Sequence, residues 1–189
     1  HFVFTSGLHS GSYINKDAIY PHVRQVSALC REMAERFKDD NIEAVIGPAV
    51  GAVILSTWTA HHLCELLGRE VYGVYADKVE DGNLIIKRGY DKLIAGKRCL
   101  IVEDLTTTGG SVKKVVEAAR GCGAEIAGVA ALANSGEVGI EAVGNPPRFE
   151  SLVHLSLEQW PEEECVLCQR GIPVNTDVGH GRDFLKKKG

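Results

Sequence analysis

Residues 99–111 read Cys99-Leu-Ile-Val-Glu103-Asp104-Leu-Thr106-Thr107-Thr108-Gly109-Gly110-Ser111. The apolar start is typical of a buried strand, and we expect this strand to end in the two adjacent carboxylates. A helix is predicted to begin at Gly110, where unpaired backbone N–H groups and the helix dipole favour anions. Glycines let the loop curl and hydroxyls add donors, so residues 106–111 are predicted to bind one phosphate monoester.

The two carboxylates at this position need a different explanation, since they cannot bind phosphate. Glu103 and Asp104 can accept hydrogen bonds from the two hydroxyls of a ribose, or reach a divalent metal. No Gly-Lys-Ser/Thr follows, which excludes a Walker A loop, and the glycines are too few for the dinucleotide fingerprint. An N-capped helix after two solvent-facing acids is the alternative, but acids placed directly before the loop favour a sugar-phosphate site.

Working outward, strands and helices alternate along the chain. Strands are predicted at 42–46, 71–75, 98–102, 126–132 and 152–155, and helices at 17–38, 52–67 and 110–120. Residues 84–90 are predicted to return as the second arm of a hairpin. This order predicts an α/β fold with a largely parallel, doubly wound sheet and helices on both faces. Ligands of such sheets bind beyond the carboxyl ends of the strands.

Length and composition narrow the class of protein. The 189 residues correspond to one domain, and the net charge of −4 argues against a broad nucleic-acid-binding face. No uncharged apolar run of about 18 residues occurs, so no membrane span is predicted. Since no signal-peptide pattern opens the sequence, we expect a cytoplasmic protein. The chain starts at His1 followed by Phe-Val-Phe, which looks like the middle of an element, so we expect further residues before it.

The six cysteines fall into two groups. Four stand singly in apolar surroundings and are predicted to be buried: Cys30, Cys64, Cys99 and Cys122. The pair Cys165-Val-Leu-Cys168 can be half of a zinc site, a redox pair or a reduced structural pair. A structural zinc needs about four ligands, and in the zinc reading only His154, His180 or a second subunit could complete the set.

Residues 99–111 resemble the phosphoribosyl-diphosphate (PRPP) motif of type I phosphoribosyltransferases, with an acidic pair followed by a Thr/Gly phosphate loop. Other segments resemble orotate phosphoribosyltransferases in the right order: the N-terminal loop at 4–15, the diphosphate loop Gly47-Pro-Ala-Val-Gly51, the mobile catalytic loop at 76–91 and the tail at 165–173. The resemblance covers nearly the whole chain. It implies a single phosphoribosyltransferase domain, with a small hood made by residues 1–16 and 157–189.

The resemblance also implies roles for the quoted residues. Glu103 and Asp104 would hold the ribose hydroxyls of PRPP and serve as catalytic residues, and residues 106–111 would cradle its 5′-phosphate. Ala49, Val50 and Gly51 would offer backbone groups to the diphosphate, near Mg²⁺ that PRPP carries and to which we assign no protein ligand. The implied reaction is displacement of diphosphate by a base nitrogen. Members are commonly homodimers whose mobile loop reaches the neighbouring subunit's site.

This chain departs from the orotate enzymes in its loop cations and its base-side residues. Its mobile loop has no histidine, so Lys78 is predicted as the catalytic cation facing the diphosphate, with Lys87 and Arg88 as further diphosphate ligands. Lysine is common in those enzymes where Thr5 stands, and arginine where Asn134 stands; a neutral amide cannot neutralise a carboxylate. The predicted base-binding residues are Ser6, His9, Tyr13, Asn15, Thr107 and Asn134.

Four functions therefore stay open on the sequence. The first is transfer of phosphoribose to orotate, which the N-terminal loop favours. The second is the same chemistry on another pyrimidine or a purine, which Asn134 favours. A non-catalytic sensor of PRPP or nucleotide on the same fold is the third, and an unrelated sugar-phosphate-binding domain the fourth.

Overall fold

The computed structural model describes residues 1–4 and 6–188; Thr5, where the resemblance implied a departure from lysine, lies outside the described residues. The chain forms two compact units, one of His1–Asn15 with Ser156–Gly189 and one of Lys16–Leu155. In chain order the strands and helices are β1 (Phe2–Val3), β2 (His9–Ser10), α1 (Val23–Phe37), β3 (Ala44–Pro48), α2 (Gly51–Leu67), β4 (Tyr72–Lys78), β5 (Leu84–Ile85), α3 (Tyr90–Ile94), β6 (Arg98–Thr106), α4 (Gly110–Gly121), β7 (Glu125–Asn134), β8 (Phe149–His154), α5 (Val166–Gln169) and α6 (Gly181–Lys188).

The larger unit is built on a sheet in the order β5-β4-β3-β6-β7-β8. Every neighbouring pair is parallel except β4 with β5, which confirms the predicted largely parallel sheet. Successive residues of β3 enter different cores: Ile46 packs in the core that contains Val115 of α4, and Val45 in the one that contains Phe37 of α1. Both faces are therefore covered, as a continuously apolar central strand requires.

Strand β6 is longer than the sequence suggested. It continues to Thr106, which lies opposite Asn134 of β7, so Glu103 and Asp104 stand inside the strand rather than just after its end. The reason is that β7 also extends past its predicted end and supplies ladder partners up to Thr106. Pairing with β7 before and after the acidic pair therefore fixes the backbone of Glu103 and Asp104 within the strand.

Helix α1 begins at Val23, later than the predicted start at Asp17. Pro21 explains the difference, because proline has no N–H and is tolerated only at the first turn of a helix. Residues 16–18 form a separate 3₁₀ turn. Residue Tyr20 therefore stands in a connecting turn and not on the helix.

The predicted hairpin is confirmed. β5 runs antiparallel to β4, with Asp77 opposite Ile85 and Lys78 opposite Leu84. Its turn contains Gly82 at φ +77°, and the backbone N–H of Asn83 donates to Asp81 Oδ1 at 2.8 Å. The hairpin ends before α3, a short helix that the sequence analysis did not predict.

The smaller unit joins the two ends of the chain. β1 and β2 form an antiparallel pair, and His9 exchanges backbone hydrogen bonds of 2.8 and 2.9 Å with Trp160. The backbone N–H of His180 donates to the Val3 carbonyl at 2.8 Å. None of the helices in the described part of the chain is long and apolar enough to cross a membrane.

Candidate active site

A cleft of about 420 Å³ lies in the larger unit, where β3, β4 and β6 end. This is the edge of a parallel sheet at which ligands bind in doubly wound folds. Its walls are Lys16, Pro48, Ala49, Val50, Gly51, Ala52, Lys78, Gly82, Leu84, Glu103, Asp104, Thr108, Gly110, Ser111 and Lys114. The cleft thus brings together residues from all three predicted PRPP-binding segments and from the tip of the β4–β5 hairpin.

The acidic pair forms the floor of this cleft. Glu103 is 7% exposed and Asp104 is 3% exposed. Asp104 accepts hydrogen bonds from Lys16 Nζ at 3.0 Å and from the Tyr20 hydroxyl at 2.6 Å. Glu103 Oε1 accepts one from the backbone N–H of Asp104 at 3.0 Å. Neither Lys16 nor Tyr20 was predicted as a site residue; Lys16 directly follows the quoted N-terminal loop, but nothing in the sequence marks Tyr20.

Burial and proximity shape the electrostatics of these groups. Burial raises the pKa of Glu103 to about 8, and the neighbouring charge of Asp104 adds to the rise. Burial and the hydrogen bond to Asp104 raise the pKa of the Tyr20 hydroxyl well above its ordinary value. Burial alone lowers the pKa of Lys16, but the charge and hydrogen bond of Asp104 outweigh it and the net shift is upward. Lys16 and Tyr20 are therefore kept protonated as donors to Asp104.

We expect Glu103→Gln to be more stable than the wild type above neutral pH. A carboxyl with a raised folded-state pKa stabilises the fold fully below its unfolded value of 4.5 and loses that contribution as pH rises towards about 8. Glutamine has no proton to lose and keeps an oxygen for the Asp104 N–H. Urea unfolding should give the two proteins the same free energy of unfolding near pH 4. At pH 8 the free energy of unfolding of the variant should be higher by roughly 2–4 kcal/mol.

The exposed Glu117→Gln on α4 serves as the matched control and is expected to follow the wild type at both pH values. A Glu103→Gln variant less stable than the wild type at pH 8 would show that the ionised carboxylate stabilises the fold.

The predicted phosphate loop ends in the first turn of α4. Gly109 adopts φ +77°, and a Cβ there would lie 2.7 Å from the carbonyl oxygen of Ala142, so only glycine fits. The N-cap residue of α4 is Gly109, so no N-cap side chain hydrogen-bonds to the first N–H groups of the helix. Thr108, Gly110 and Ser111 line the cleft. The other predicted phosphate ligands, Thr106, Thr107 and Gly109, do not line the cleft. Thr106 is buried.

The loop between β3 and α2 forms the opposite wall. Val50 is 85% exposed, the Ala49–Val50 peptide bond is cis, and the Ala49 N–H donates to the carbonyl of Ala76 at 2.8 Å. A Cβ at Gly51 would lie 2.8 Å from Asp104 Oδ2. Glycine is therefore required for this loop and the start of α2 to lie directly against the acidic pair.

The cleft holds lysines from three parts of the unit, namely Lys16, Lys78 and Lys114. Lys114 Nζ donates to the carbonyl of Gly82 in the hairpin turn at 2.6 Å. It was missed in the sequence, although its place four residues after Gly110 puts it on the same helix face. Lys87 Nζ and Arg88 Nε instead pair with Asp77 Oδ2 at 3.5 and 3.1 Å and do not line the cleft, so their diphosphate role stays a prediction.

Among the predicted base-binding residues, Asn134 uses its side chain for hydrogen bonds within its own loop. Its Nδ2 donates to the carbonyl of Val138 at 3.1 Å, and its Oδ1 accepts from the N–H of Gly136 at 3.3 Å. The side chain is buried. Both ends of the amide are thus used to fold residues 134–138, and its predicted contact with the base is not tested by this arrangement.

The remaining predicted base-side residues, Ser6, His9, Tyr13 and Asn15, belong to the smaller unit. Ser6 and Asn15 are exposed, and the Tyr13 ring lies 5.4 Å from that of Phe2. His9 is fully buried. The sequence-based expectation that His154 or His180 accompanies the Cys165/Cys168 pair is wrong, since the histidines beside those thiols are His1 and His9.

Comparison with known proteins identifies the family of this chain. Residues 15–146 match the family model of the phosphoribosyl transferase domain. The chain is 38% identical to the orotate phosphoribosyltransferase of Caldanaerobacter subterraneus subsp. tengcongensis over 174 residues, 92% of this chain and 86% of that protein. It is also 38% identical to the orotate phosphoribosyltransferase of Caldicellulosiruptor saccharolyticus, over 92% of this chain and 85% of that one.

A solved structure is similar as well. The crystal structure of Mycobacterium tuberculosis orotate phosphoribosyltransferase in complex with PRPP matches with a TM-score of 0.59 and 26% identity, over 76% of this chain and 81% of that one. The sequence matches and the similarity in fold support the same family. This chain belongs to the phosphoribosyltransferase family and, within it, to the orotate phosphoribosyltransferases.

Proposed function

We propose that this enzyme transfers the phosphoribosyl group of PRPP to orotate, releasing diphosphate and forming the nucleoside 5′-monophosphate for pyrimidine biosynthesis. The observation that carries the proposal is the buried pair Glu103 and Asp104, which shares one cleft with the starts of α2 and α4. A ribose needs acceptors for two hydroxyls, and the phosphates at its two ends need donors. The cleft offers acceptors in the middle and donors on either side.

The proposed chemistry is a displacement at the anomeric carbon. A nitrogen of the base forms the new C–N bond while the C–O bond to diphosphate breaks, and the bonding electron pair leaves with the diphosphate. Positive charge develops on the ribose and negative charge on the leaving group. Lys78, at the end of β4, faces the leaving group and neutralises that charge. Lys114 and the α4 start hold the 5′-phosphate, which fixes the sugar in position.

Asp104 takes part in this scheme by exchanging partners. In the structure its two carboxylate oxygens accept from Lys16 and Tyr20. A ribose hydroxyl entering the cleft takes one of these places as donor. Lys16 is half-exposed and can turn to solvent or to a phosphate, whereas Tyr20 is less free to leave. We therefore assign the exchange to Lys16.

Mg²⁺ is the proposed cofactor, entering with PRPP. The cleft fits such an ion, because the oxygens of PRPP are ligands of the type that Mg²⁺ prefers and the carboxylates of Glu103 and Asp104 line the same cleft; no protein ligand is assigned to the ion. When bound, it would neutralise charge on the diphosphate. Titration of PRPP with and without Mg²⁺ checks this assignment, and equal affinity and turnover in both would contradict it.

A second candidate substrate is another nucleobase, and Asn134 is the observation that favours it. Its neutral amide is bonded within its own loop and supplies no charge for the orotate carboxylate. Diphosphate release should be measured with PRPP, Mg²⁺ and each of orotate, uracil, hypoxanthine, xanthine and adenine. Release with orotate alone is expected. Release with a different base would replace the substrate, and tight PRPP binding without release would identify a sensor.

We further propose a cytoplasmic homodimer. All six cysteines are free in the structure, as a reducing compartment requires. Light scattering on the purified protein should give twice the chain mass, and a monomer at assay concentration would contradict the dimer.

A further inference from the structure

Four potential metal ligands meet inside the smaller unit, and the chemical steps proposed above use none of them, although the resemblance placed His9 beside the base. They are His1, His9, Cys165 and Cys168, whose nearest ligand atoms all lie within 4.8 Å of one another. His9 and Cys165 are fully buried. The site draws His9 from β2, His1 from the residue directly before β1, and two cysteines from the tail, so it connects two segments far apart in sequence within this unit.

The distances between ligand atoms match a tetrahedral site closely. Cys168 Sγ lies 3.3 Å from His9 Nδ1 and 3.8 Å from His1 Nε2, and Cys165 Sγ lies 3.7 Å from His1 Nε2. Zinc bonds of usual length in a tetrahedron separate sulfur and nitrogen ligands by about 3.5 Å. The two ring nitrogens are 2.8 Å apart, against about 3.3 Å in such a site, so a small rotation of one ring completes the geometry.

The surroundings orient these ligands as metal sites require. His1 Nδ1 donates to the carbonyl of Ile172 at 2.8 Å, which leaves Nε2, the atom facing the thiols, as the lone-pair nitrogen. The two cysteines are placed by α5, whose single turn brings positions three apart to one face. Gly171, at φ +64°, donates its N–H to the Cys168 carbonyl at 3.0 Å and turns the chain back at Ile172.

The unit also needs a stabilising device beyond its apolar core. Among its described residues, the buried hydrophobic side chains are Val3 and Cys165, while His9 and Ser10 are buried polar ones. A unit of about 50 residues with so little apolar burial is of the size that usually depends on a metal or disulfides. A buried histidine beside two thiols is the composition of a structural metal centre, not of an apolar core.

We propose that this smaller unit binds one Zn²⁺ through His1 Nε2, His9 Nδ1, Cys165 Sγ and Cys168 Sγ. Binding displaces the two thiol protons to solvent and forms four coordinate bonds, so two thiolates balance the charge of the ion and the buried site is neutral. The role is structural, because four protein ligands leave no position open for substrate. The proposal is independent of the base that the enzyme uses.

The decisive measurement is metal analysis of the purified wild-type chain without a polyhistidine tag, after reconstitution with Zn²⁺ under reducing conditions and gel filtration. One zinc per chain is expected. Replacement by Co²⁺ should give the strong d–d absorption of a tetrahedral ion together with a thiolate-to-cobalt charge-transfer band. This spectrum identifies the ligands in the wild type, so the test does not depend on a variant that folds.

Variants then locate the site. Cys165→Ser and His9→Asn are expected to lose the bound zinc and to have a lower melting temperature. The control variants Cys122→Ser and His154→Asn are expected to keep the zinc content and melting temperature of the wild type. His61→Asn is a further control, since His61, His62 and Glu65 on α2 form a second group of possible ligands among the described residues. Removal of zinc by a chelator should also expose residues 156–188 to proteases while PRPP binding to the larger unit is retained.

Two results would overturn the proposal. One is a reconstituted wild type with zinc well below one per chain and an octahedral, thiolate-free cobalt spectrum. The other is full zinc content in Cys165→Ser together with its loss in His61→Asn, which would place the metal on α2.

Discussion

Asp104→Asn is expected to raise the dissociation constant for PRPP about 10- to 100-fold while the protein stays folded, because a charge-assisted hydrogen bond to a ribose hydroxyl contributes about 1.5–3 kcal/mol. The asparagine keeps one oxygen for the Tyr20 hydroxyl, which donates to Asp104 at 2.6 Å. Lys16, half-exposed, can be rehydrated when its partner loses its charge. Isothermal titration with PRPP and Mg²⁺ measures the effect, and thermal unfolding checks the fold.

The matched control is Asp39→Asn, an exposed aspartate outside the cleft, which should leave PRPP affinity unchanged. If Asp104→Asn binds PRPP as tightly as the wild type does, the ribose does not lie on the acidic pair. The cleft would then have to hold its ligand in another orientation.

Lys78→Gln is expected to lower kcat by about 100-fold or more, with a much smaller change in KM for PRPP. Removing one preorganised donor that acts on transition-state charge typically has an effect of this size. Lys78 is exposed and lines the cleft at the end of β4, so its loss should not disturb the core. Lys92→Gln is the matched control, because Lys92 is an exposed lysine on α3 that does not line the cleft. A kcat that falls equally in both variants would argue against a specific role for Lys78.

The Lys78→Gln variant also tests whether Lys78 acts in the active site of its own subunit or in that of a neighbouring subunit. The resemblance implies a mobile loop that reaches the neighbouring subunit's site, yet Lys78 lies in the cleft of its own chain. Mixing Lys78→Gln with Asp104→Asn chains should therefore restore no activity. Recovery of about a quarter of the wild-type rate would instead show action between subunits, because half of randomly assembled dimers would carry one intact site of two.

The sequence predicted the framework of the larger unit well, because its central strands and helices have strong apolar patterns. Two of the boundaries that it misplaced have clear causes. The amphipathic pattern of α1 hid the effect of Pro21, and the carboxylates of β6 looked like a strand end although β7 supports the strand to Thr106. A buried acid inside a strand runs against ordinary patterning, and such local conflicts are expected at functional sites.

Long-range contacts account for the rest of what was missed. Nothing near Tyr20 in the chain indicates that its hydroxyl donates to Asp104, 84 residues away. In the same way, the sequence left a zinc site as one reading of the CxxC pair and did not identify the histidines beside it, since His1 and His9 lie more than 150 residues from Cys168. The short strands β1 and β2 bring these residues to the tail, and segments of two residues are too short to show a period.

The central claim is that the cleft at the ends of β3, β4 and β6 binds PRPP, with the acidic pair on its ribose. A crystal structure of the protein with PRPP and Mg²⁺ tests it most directly. The account predicts ribose hydroxyls within hydrogen-bonding distance of Glu103 and Asp104, the 5′-phosphate at residues 108–111 and the diphosphate beside residues 49–51. PRPP bound with either phosphate group on the acidic pair, or outside this cleft, would contradict it.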